Sequence, residues 1–286
     1  MGIMDAKVCV ITGATAGIGF YTAMELARMG GSIIIIGRNR SKCINAIKMI
    51  QDDTGNPAID FLLADLSSQA QIRTAAQLFY NKYDRLDILV NNAGGFFLHR
   101  KLSADGIEMT LALNHLAYFL LTNLLVDALK ASSSARVINV SSHTHTNKHL
   151  DFSNLQLSKF YNPVQAYGRS KLANLLFSYE LSRRLSGLRI TSNALTPGWV
   201  ATEIYSKINP WLTPLINPVL QRFGQTPFEG AQTSIYLATS QDVEGVTGKY
   251  YALKKPIQSS SASYDLESAR RLWEISSELV GLVNEN

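Results

Sequence analysis

The chain has 286 residues, is 46% apolar and carries a net charge of +5, with its lysines and arginines scattered. That length can bury a large core, and the scatter gives no basic tail or stripe, so nucleic acid is not an expected partner. Two cysteines are too few for a disulfide framework, and no apolar run reaches the roughly 18 residues of a membrane span.

The opening stretch, "MGIMDAKVCVITG", lacks the apolar region and cleavage site of a secretory signal, so a cytoplasmic location is expected. Within it, "AKVCVIT" (6–12) is the first of six short apolar runs. The others are "GSIIIIG" (31–37), "AIDFLLAD" (58–65), "LDILVNN" (86–92), "ARVINVSS" (135–142) and "LRITSNAL" (188–195). Rich in Val, Ile and Leu with little alternation, they predict strands covered on both faces. Helical patterns lie between them, among them "GFYTAMELARMG" and "SADGIEMTLALNHLAYFLLTNLLVDALKAS". Such alternation implies right-handed crossovers and the α/β class: a parallel, doubly wound sheet flanked by helices on both faces. No linker divides the chain and no repeat is visible, so a single domain over 1–286 is expected.

The first run flows into "TGATAGIG", which spans Thr12, Gly13, Thr15, Ala16, Gly17, Ile18 and Gly19. A glycine-rich turn between strand and helix lets backbone approach phosphate, while the helix N-terminus supplies amide donors and a positive dipole. About 20 residues farther on, an acid would bind a ribose 2′-hydroxyl. The sequence there reads "IIIIGRNRSK", with Arg38 and Asn39 and no acid. A guanidinium can pair with a 2′-phosphate, which an acid would repel, so NADP(H) is the expected cofactor. Asp65 and Leu66 end the third run, where the carboxylate could accept from an adenine amino group. Asn92, Ala93 and Gly94 of "NNAG" end the fourth, near the same edge.

Two stretches break the rhythm: "HTHTNKHLDFSNLQLSKFYNPVQ" (143–165) and "TEIYSKINPWLTPLINPVLQRFGQTP" (202–227). Long irregular insertions in a compact domain are usually functional or disordered, and the apolar content of the second argues against disorder. Between them lies "YGRSKLANLLF". At about 100° per residue, Tyr167 and Lys171 share one helix face with Asn174 and Ser178. Leu172, Leu175, Leu176 and Tyr179 form a separate apolar stripe. His143, His145 and His149 sit close together, but without a second ligand cluster no metal is expected; some of them are expected at a substrate mouth near Ser142. "YDLESARRLWEISSELVGL" near the C-terminus predicts an amphipathic helix docked on the body.

Taken together, "TGATAGIG", "NNAG", Asn114 in "LALNHLAYF", "VSS" and "YGRSK" resemble the short-chain dehydrogenase/reductase family, in the family's order. "NHLAYFLLT", "FYNPVQAYGRSKLANLLFSYELSRRL", "GAQTSIYLA" and "ARRLWEISSELVGL" extend the likeness over nearly the whole chain, to its retinol dehydrogenase / WW-domain oxidoreductase group. The resemblance implies a single-domain Rossmann fold and an NADP-dependent oxidoreductase acting on CH–OH or C=O groups.

It also implies roles. Tyr167 would exchange a proton with the substrate oxygen, and Lys171 would favour its phenolate and hold the cofactor's ribose. Ser142, chosen over Ser141, would bind the substrate oxygen. Asn114 would hold a water that relays protons from Lys171. Pro197, Gly198, Val200 and Thr202 of "TPGWVAT" would cradle the nicotinamide amide. The 202–227 insertion would form a substrate lid, with Trp211, Leu212, Leu215, Ile216, Val219 and Leu220 as a greasy wall. A lipophilic aldehyde, ketone or alcohol is the implied substrate, and peripheral membrane contact through the same segment is a further expectation, with Lys207 and Arg222 at its margins. Animal retinol dehydrogenases often carry an N-terminal membrane anchor; none is expected here, a departure that puts retinol itself in doubt as the physiological substrate. Relatives often pair through the Tyr167 helix, so a homodimer is expected. Two rival readings stand beside the enzyme. One is an isomerase or dehydratase using the same Tyr/Lys pair; the other is a non-enzymatic NADP-binding sensor or scaffold.

Overall fold

The computed structural model describes residues 3–198 and 225–282. All six apolar runs form strands: β1 (Val8–Thr12), β2 (Ser32–Gly37), β3 (Ile59–Leu63), β4 (Ile88–Asn91), β5 (Ala135–Val140) and β6 (Ile190–Leu195). Two short strands follow, β7 (Tyr250–Ala252) and β8 (Lys255–Ile257). One eight-stranded sheet results, in the order β3-β2-β1-β4-β5-β6-β7-β8. All neighbours run parallel except β7 and β8, which form an antiparallel hairpin. The molecule is a single-domain, doubly wound Rossmann-type α/β fold with helices on both faces.

The central strands read Val, Ile and Leu because both faces are covered. On one face Cys9, Ile11, Ile33 and Ile35 pack with Phe20, Ala23 and Leu26 of helix α1 (Gly17–Arg28) and with Cys43, Ala46 and Ile50 of α2 (Arg40–Thr54). On the other, Val10, Ile34, Leu89 and Val137 pack with Ile72, Ala75 and Phe79 of α3 (Gln69–Tyr80). The helical pattern over 103–132 forms several pieces. It comprises α4 (Met109–Leu111), a π-helical turn (Ala112–Leu116), α5 (Ala117–Leu124) and α6 (Val126–Lys130). Its start is late because Glu108 caps it, accepting from the Thr110 and Leu111 amides.

The 22-residue α7 (Pro163–Arg184) starts at Asn162, whose side chain accepts from Gln165 N, and has proline in its first turn. Its apolar stripe is shared between two partners: Leu172 and Leu176, with Ala173, bury against Ala269 and Leu272 of α8 (Leu266–Leu279), while Leu175 and Tyr179 pack with Ala194 and Tyr250 of the sheet. Phe177 stacks on Trp273, ring centroids 5.9 Å apart. The polar face of α7 is buried too. Ser178 meets Asn139 and Ser192 in the sheet, and Asn174 reaches Val140 O. A helix buried on both faces cannot shift easily, and α7 carries Tyr167 and Lys171. Strand order reverses between β1 and β4, and the crevice beyond the carboxyl ends of those strands is where this architecture binds ligands.

Candidate active site

The β1–α1 end of that crevice is shaped by what glycine omits. Gly13 adopts φ +66°, and a Cβ there would lie 2.9 Å from the Ala93 backbone. At Gly19 a Cβ would lie 2.5 Å from Asn92 Nδ2 and 2.7 Å from Gly13 O, so these two glycines let turn, helix and β4 close on one another. Gly17 is different. It also has positive φ, at +62°, yet nothing lies within 4 Å of its would-be Cβ. Helix α1 begins there with no side-chain cap and no acid in its first turn. Its free amides and open approach suit an anion.

Thr12 and Asn92 hold this turn rather than face out of it. The Thr12 hydroxyl accepts from the amides of Asn92 (2.8 Å) and Ala93 (2.9 Å) and donates toward Val90 O (3.3 Å). Asn92 Nδ2 returns a bond to Thr12 O at 2.8 Å. Arg38 is exposed immediately after β2, and no ion pair reaches it among the described residues. Asn39 caps α2 by accepting from Lys42 N, and Arg40 lies over the Phe61 ring. Asp65 Oδ1 accepts from the amide and hydroxyl of Ser67, and Leu66 is buried beside it. Gly198 has φ +85° at the start of the "TPGWVAT" turn; Val200 and Thr202 lie outside the described residues, as does the wall from Trp211 to Leu220.

The chemical end is a knot of buried side chains. Lys171 is 3% exposed, and its Nζ donates to Val140 O at 3.1 Å. The ammonium lies 5.6 Å from the centre of the Tyr167 ring and 5.9 Å from that of Tyr118. Burial draws its pKa down to about 8. A Cβ on Gly94 would lie at ordinary contact distance, 3.6 Å from Lys171 Nζ and 3.4 Å from Asn114 Oδ1, so the residue abuts both groups. Asn114 sits in the π-helical turn, not in regular helix. Its amide exchanges two bonds with the Gly95 backbone and donates to Ser170 Oγ at 3.0 Å; Ser170 in turn donates to Tyr167 O.

The two serines after β5 separate cleanly. Ser141 is buried and donates to Lys171 O at 2.8 Å, which ties the strand end to α7. Ser142 is half-buried, and its Oγ accepts from Thr144 N at 3.3 Å. The Phe96 ring lies 5.8 Å from that of Tyr167, and Tyr161 OH donates to Phe97 O at 2.8 Å. These contacts bring Tyr167, Lys171, Asn114 and Gly94 together, and Ser142 follows Ser141, which is bonded to α7.

The short chain dehydrogenase family model matches residues 7–213. The chain belongs to the short-chain dehydrogenase/reductase family. Among curated relatives, mouse (Mus musculus) retinol dehydrogenase 14 is 41% identical over 99% of this chain and 88% of its own. Human (Homo sapiens) polyprenol dehydrogenase is 41% identical over 97% of this chain and 86% of its own. Two solved structures agree. A protein from Mycobacterium paratuberculosis is 30% identical with TM-score 0.79 over 97% of this chain and 94% of its own. The Pseudomonas aeruginosa RhlG/NADP active-site complex is 27% identical with TM-score 0.69 over 88% and 96%. This dehydrogenase/reductase is therefore an oxidoreductase acting on CH–OH or C=O groups and most resembles the retinol dehydrogenases.

The loop histidines differ from one another in exposure. His143 and His149 are exposed, whereas His145 is buried and bonded on both ring nitrogens. Among the described residues no group of three His, Cys, Asp or Glu could hold a metal ion. Sequence reasoning also missed the Ser170 link and the π-helical turn. Neither leaves a trace in apolar periodicity, because one extra residue in a turn changes no residue type.

Proposed function

We propose that this dehydrogenase/reductase transfers hydride between NADP(H) and a lipophilic aldehyde, ketone or alcohol. The observation that carries the reading is a buried ammonium, Lys171, that no carboxylate neutralises among the described residues and that lies 5.6 Å from the Tyr167 ring. A positive charge held dry beside a phenol favours the phenolate. Tyr167 can then give a proton to the substrate oxygen in reduction and take it back in oxidation. Ser142 Oγ binds the same oxygen and orients it. Asn114, braced by Gly95 and Ser170, holds the water through which the Lys171 ammonium is re-protonated.

The nicotinamide cofactor supplies or accepts the hydride when bound. This chain's residues fit it: the uncapped α1 N-terminus and the open face of Gly17 suit the pyrophosphate, and Gly94 abuts Lys171, whose ammonium suits a ribose. Thr15, Ala16 and Ile18 line the same turn. Arg38, exposed where an acid would select NAD, supports NADP through bidentate pairing with a 2′-phosphate. The RhlG complex, 27% identical, contains NADP. Asp65 and Leu66 stand at the adenine end, and Pro197 and Gly198 at the nicotinamide end.

Phe96 beside Tyr167 supports an apolar substrate, as do relatives named for retinol and polyprenol, both lipophilic alcohols. By sequence, 202–227 adds the greasy wall and a segment able to touch a membrane surface. Among the described residues no helix is long and apolar enough to cross one. The test is NADPH oxidation with medium-chain and aromatic aldehydes, run beside Tyr167→Phe. Turnover surviving that substitution would remove the assignment.

A further inference from the structure

His145 is the buried histidine of its loop, 2% exposed. Its Nδ1 lies 2.7 Å from Ser142 O, and its Nε2 lies 3.1 Å from the backbone nitrogen of Ser260. A carbonyl only accepts, and an amide N–H only donates. Both bonds are therefore satisfied by one form of the ring alone: neutral imidazole with its proton on Nδ1. An imidazolium would set N–H against N–H at Ser260. Tyr250 lies edge-on to the ring, centroids 5.3 Å apart at 82°, and fixes its plane. Burial lowers the pKa of His145 from the usual histidine value, which also favours the neutral ring.

Each end of this bridge is anchored. Ser142 O also accepts from His145 N at 3.2 Å. On the far side, Ser263 Oγ donates to Ser260 O at 2.6 Å and shares a bond with Ser259 Oγ. Ser259 Oγ in turn meets Tyr179 OH of α7 at 2.8 Å. The segment around Ser260 is thus fastened to the catalytic helix on one side and, through the imidazole, to the turn after β5 on the other.

We propose that His145 is a positioning residue for Ser142: its Nδ1–H holds the Ser142 peptide, and the Ser260 amide locks the tautomer and orientation that this requires. The C-terminal segment thereby sets where the Ser142 hydroxyl meets the substrate oxygen. The inference rests on the reading of Ser142 given under Proposed function.

Three replacements separate the two ring nitrogens. Asparagine places an amide N–H near the position of Nδ1, glutamine places its polar atoms near that of Nε2, and leucine supplies neither. With the full chain, kcat and KM for an aliphatic aldehyde at saturating NADPH are compared with the Kd of NADPH measured by protein fluorescence. His145→Leu and His145→Gln are expected to lower kcat about tenfold, the loss set by one positioning hydrogen bond, with the NADPH Kd within about twofold. His145→Asn is expected to recover most of that loss. Equal activity of the Asn and Gln variants overturns the proposal, as does wild-type turnover in the Leu variant; should the Leu variant not fold, the Asn–Gln pair still decides. Long-range 1H–15N NMR of the wild-type chain gives an independent reading. A ring protonated at Nε2 overturns the proposal whatever the kinetics, and one protonated at Nδ1 supports it. Ser142→Ala isolates the underlying assumption. If that variant keeps full turnover, the catalytic reading fails; if it is inactive while Asn and Gln remain equal, only the role of His145 fails.

Discussion

At the β1–α1 turn this enzyme presents backbone: Gly17 has positive φ with nothing within 4 Å of its would-be Cβ, and no side chain caps the helix behind it. At the α7 end it presents side chains packed without slack, with Lys171 buried, Asn114 braced on three sides and Ser170 and Ser141 tied to α7 carbonyls. A phosphate needs donors and room, which backbone supplies once side chains are absent. Proton transfer needs a charge held in a dry place at fixed distance, which only a packed core supplies. Damage at the first end should therefore appear in cofactor binding, and damage at the second in turnover.

The largest effect is expected at Tyr167. Replacement by Phe removes the proton donor but leaves ring packing against Phe96 intact, so kcat should fall about a thousandfold or more, within the range assigned to general acid–base groups. NADPH affinity, read by fluorescence titration, should hardly move. A second variant, Arg38→Asp, should act in the opposite sense. The ratio of kcat/KM for NADPH over NADH should fall by about a hundredfold, since two charge-assisted bonds are lost and a repulsion is added. Thermal stability should not change, because Arg38 is exposed.

Glycines within one turn sharpen the contrast further. Gly19→Ala drives a methyl to 2.5 Å from Asn92 Nδ2 and 2.7 Å from a backbone oxygen, and should cost about 2 kcal/mol of unfolding free energy. Gly17→Ala meets nothing, so only the left-handed backbone is penalised, by about 1 kcal/mol. Yet Gly17→Ala should weaken NADPH binding more than its stability cost would imply. Denaturant melts and titrations on both variants measure this. Equal ratios of binding loss to stability loss would remove the distinction between packing glycine and approach glycine.

Much of this was legible in residue order, and the exceptions have physical causes. The six Val/Ile/Leu runs became β1 to β6 because fully covered strands leave an unbroken apolar record. β7 and β8 left none: each has three residues, and the hairpin turn uses Leu253 and Lys254 at φ +49° and +64° where a glycine or asparagine would have announced it. The polar face of α7 was distinguishable from its apolar stripe, but not that both would be buried. Covering Leu172 and Leu176 needed α8, almost a hundred residues later in the chain, and covering Leu175 and Tyr179 needed the sheet. At the site, spacing alone paired Tyr167 with Lys171, whereas bringing Asn114 and Ser142 to them rested on family likeness. Thr12 illustrates the converse limit. Its type and place fit a ligand contact, and its hydroxyl instead fastens β1 to the turn after β4.

The smallest expected effect tests the packed end without any substrate. Lys171 has a folded pKa of about 8, set by desolvation, against about 10.4 for an unfolded lysine. This is the reverse of a lysine that gains an acidic partner: between those two values the unfolded chain binds more protons, so stability must rise with pH across that window. Below pH 8 both states are protonated and the burial cost is fully present; above it the folded protein sheds the charge first. Lys171→Met has no such group, and subtracting its unfolding free energy from that of the wild type cancels the other titrations. The difference should shift in favour of the wild type by about 1 kcal/mol between pH 7 and pH 9, from one proton at roughly 1.4 kcal/mol per pH unit. Over the same range the wild type's reductive kcat/KM should decline as the ammonium beside Tyr167 is lost. A flat stability difference would mean that the amine is solvated in the ligand-free protein, and the dry positive charge on which the proton transfer depends would be gone.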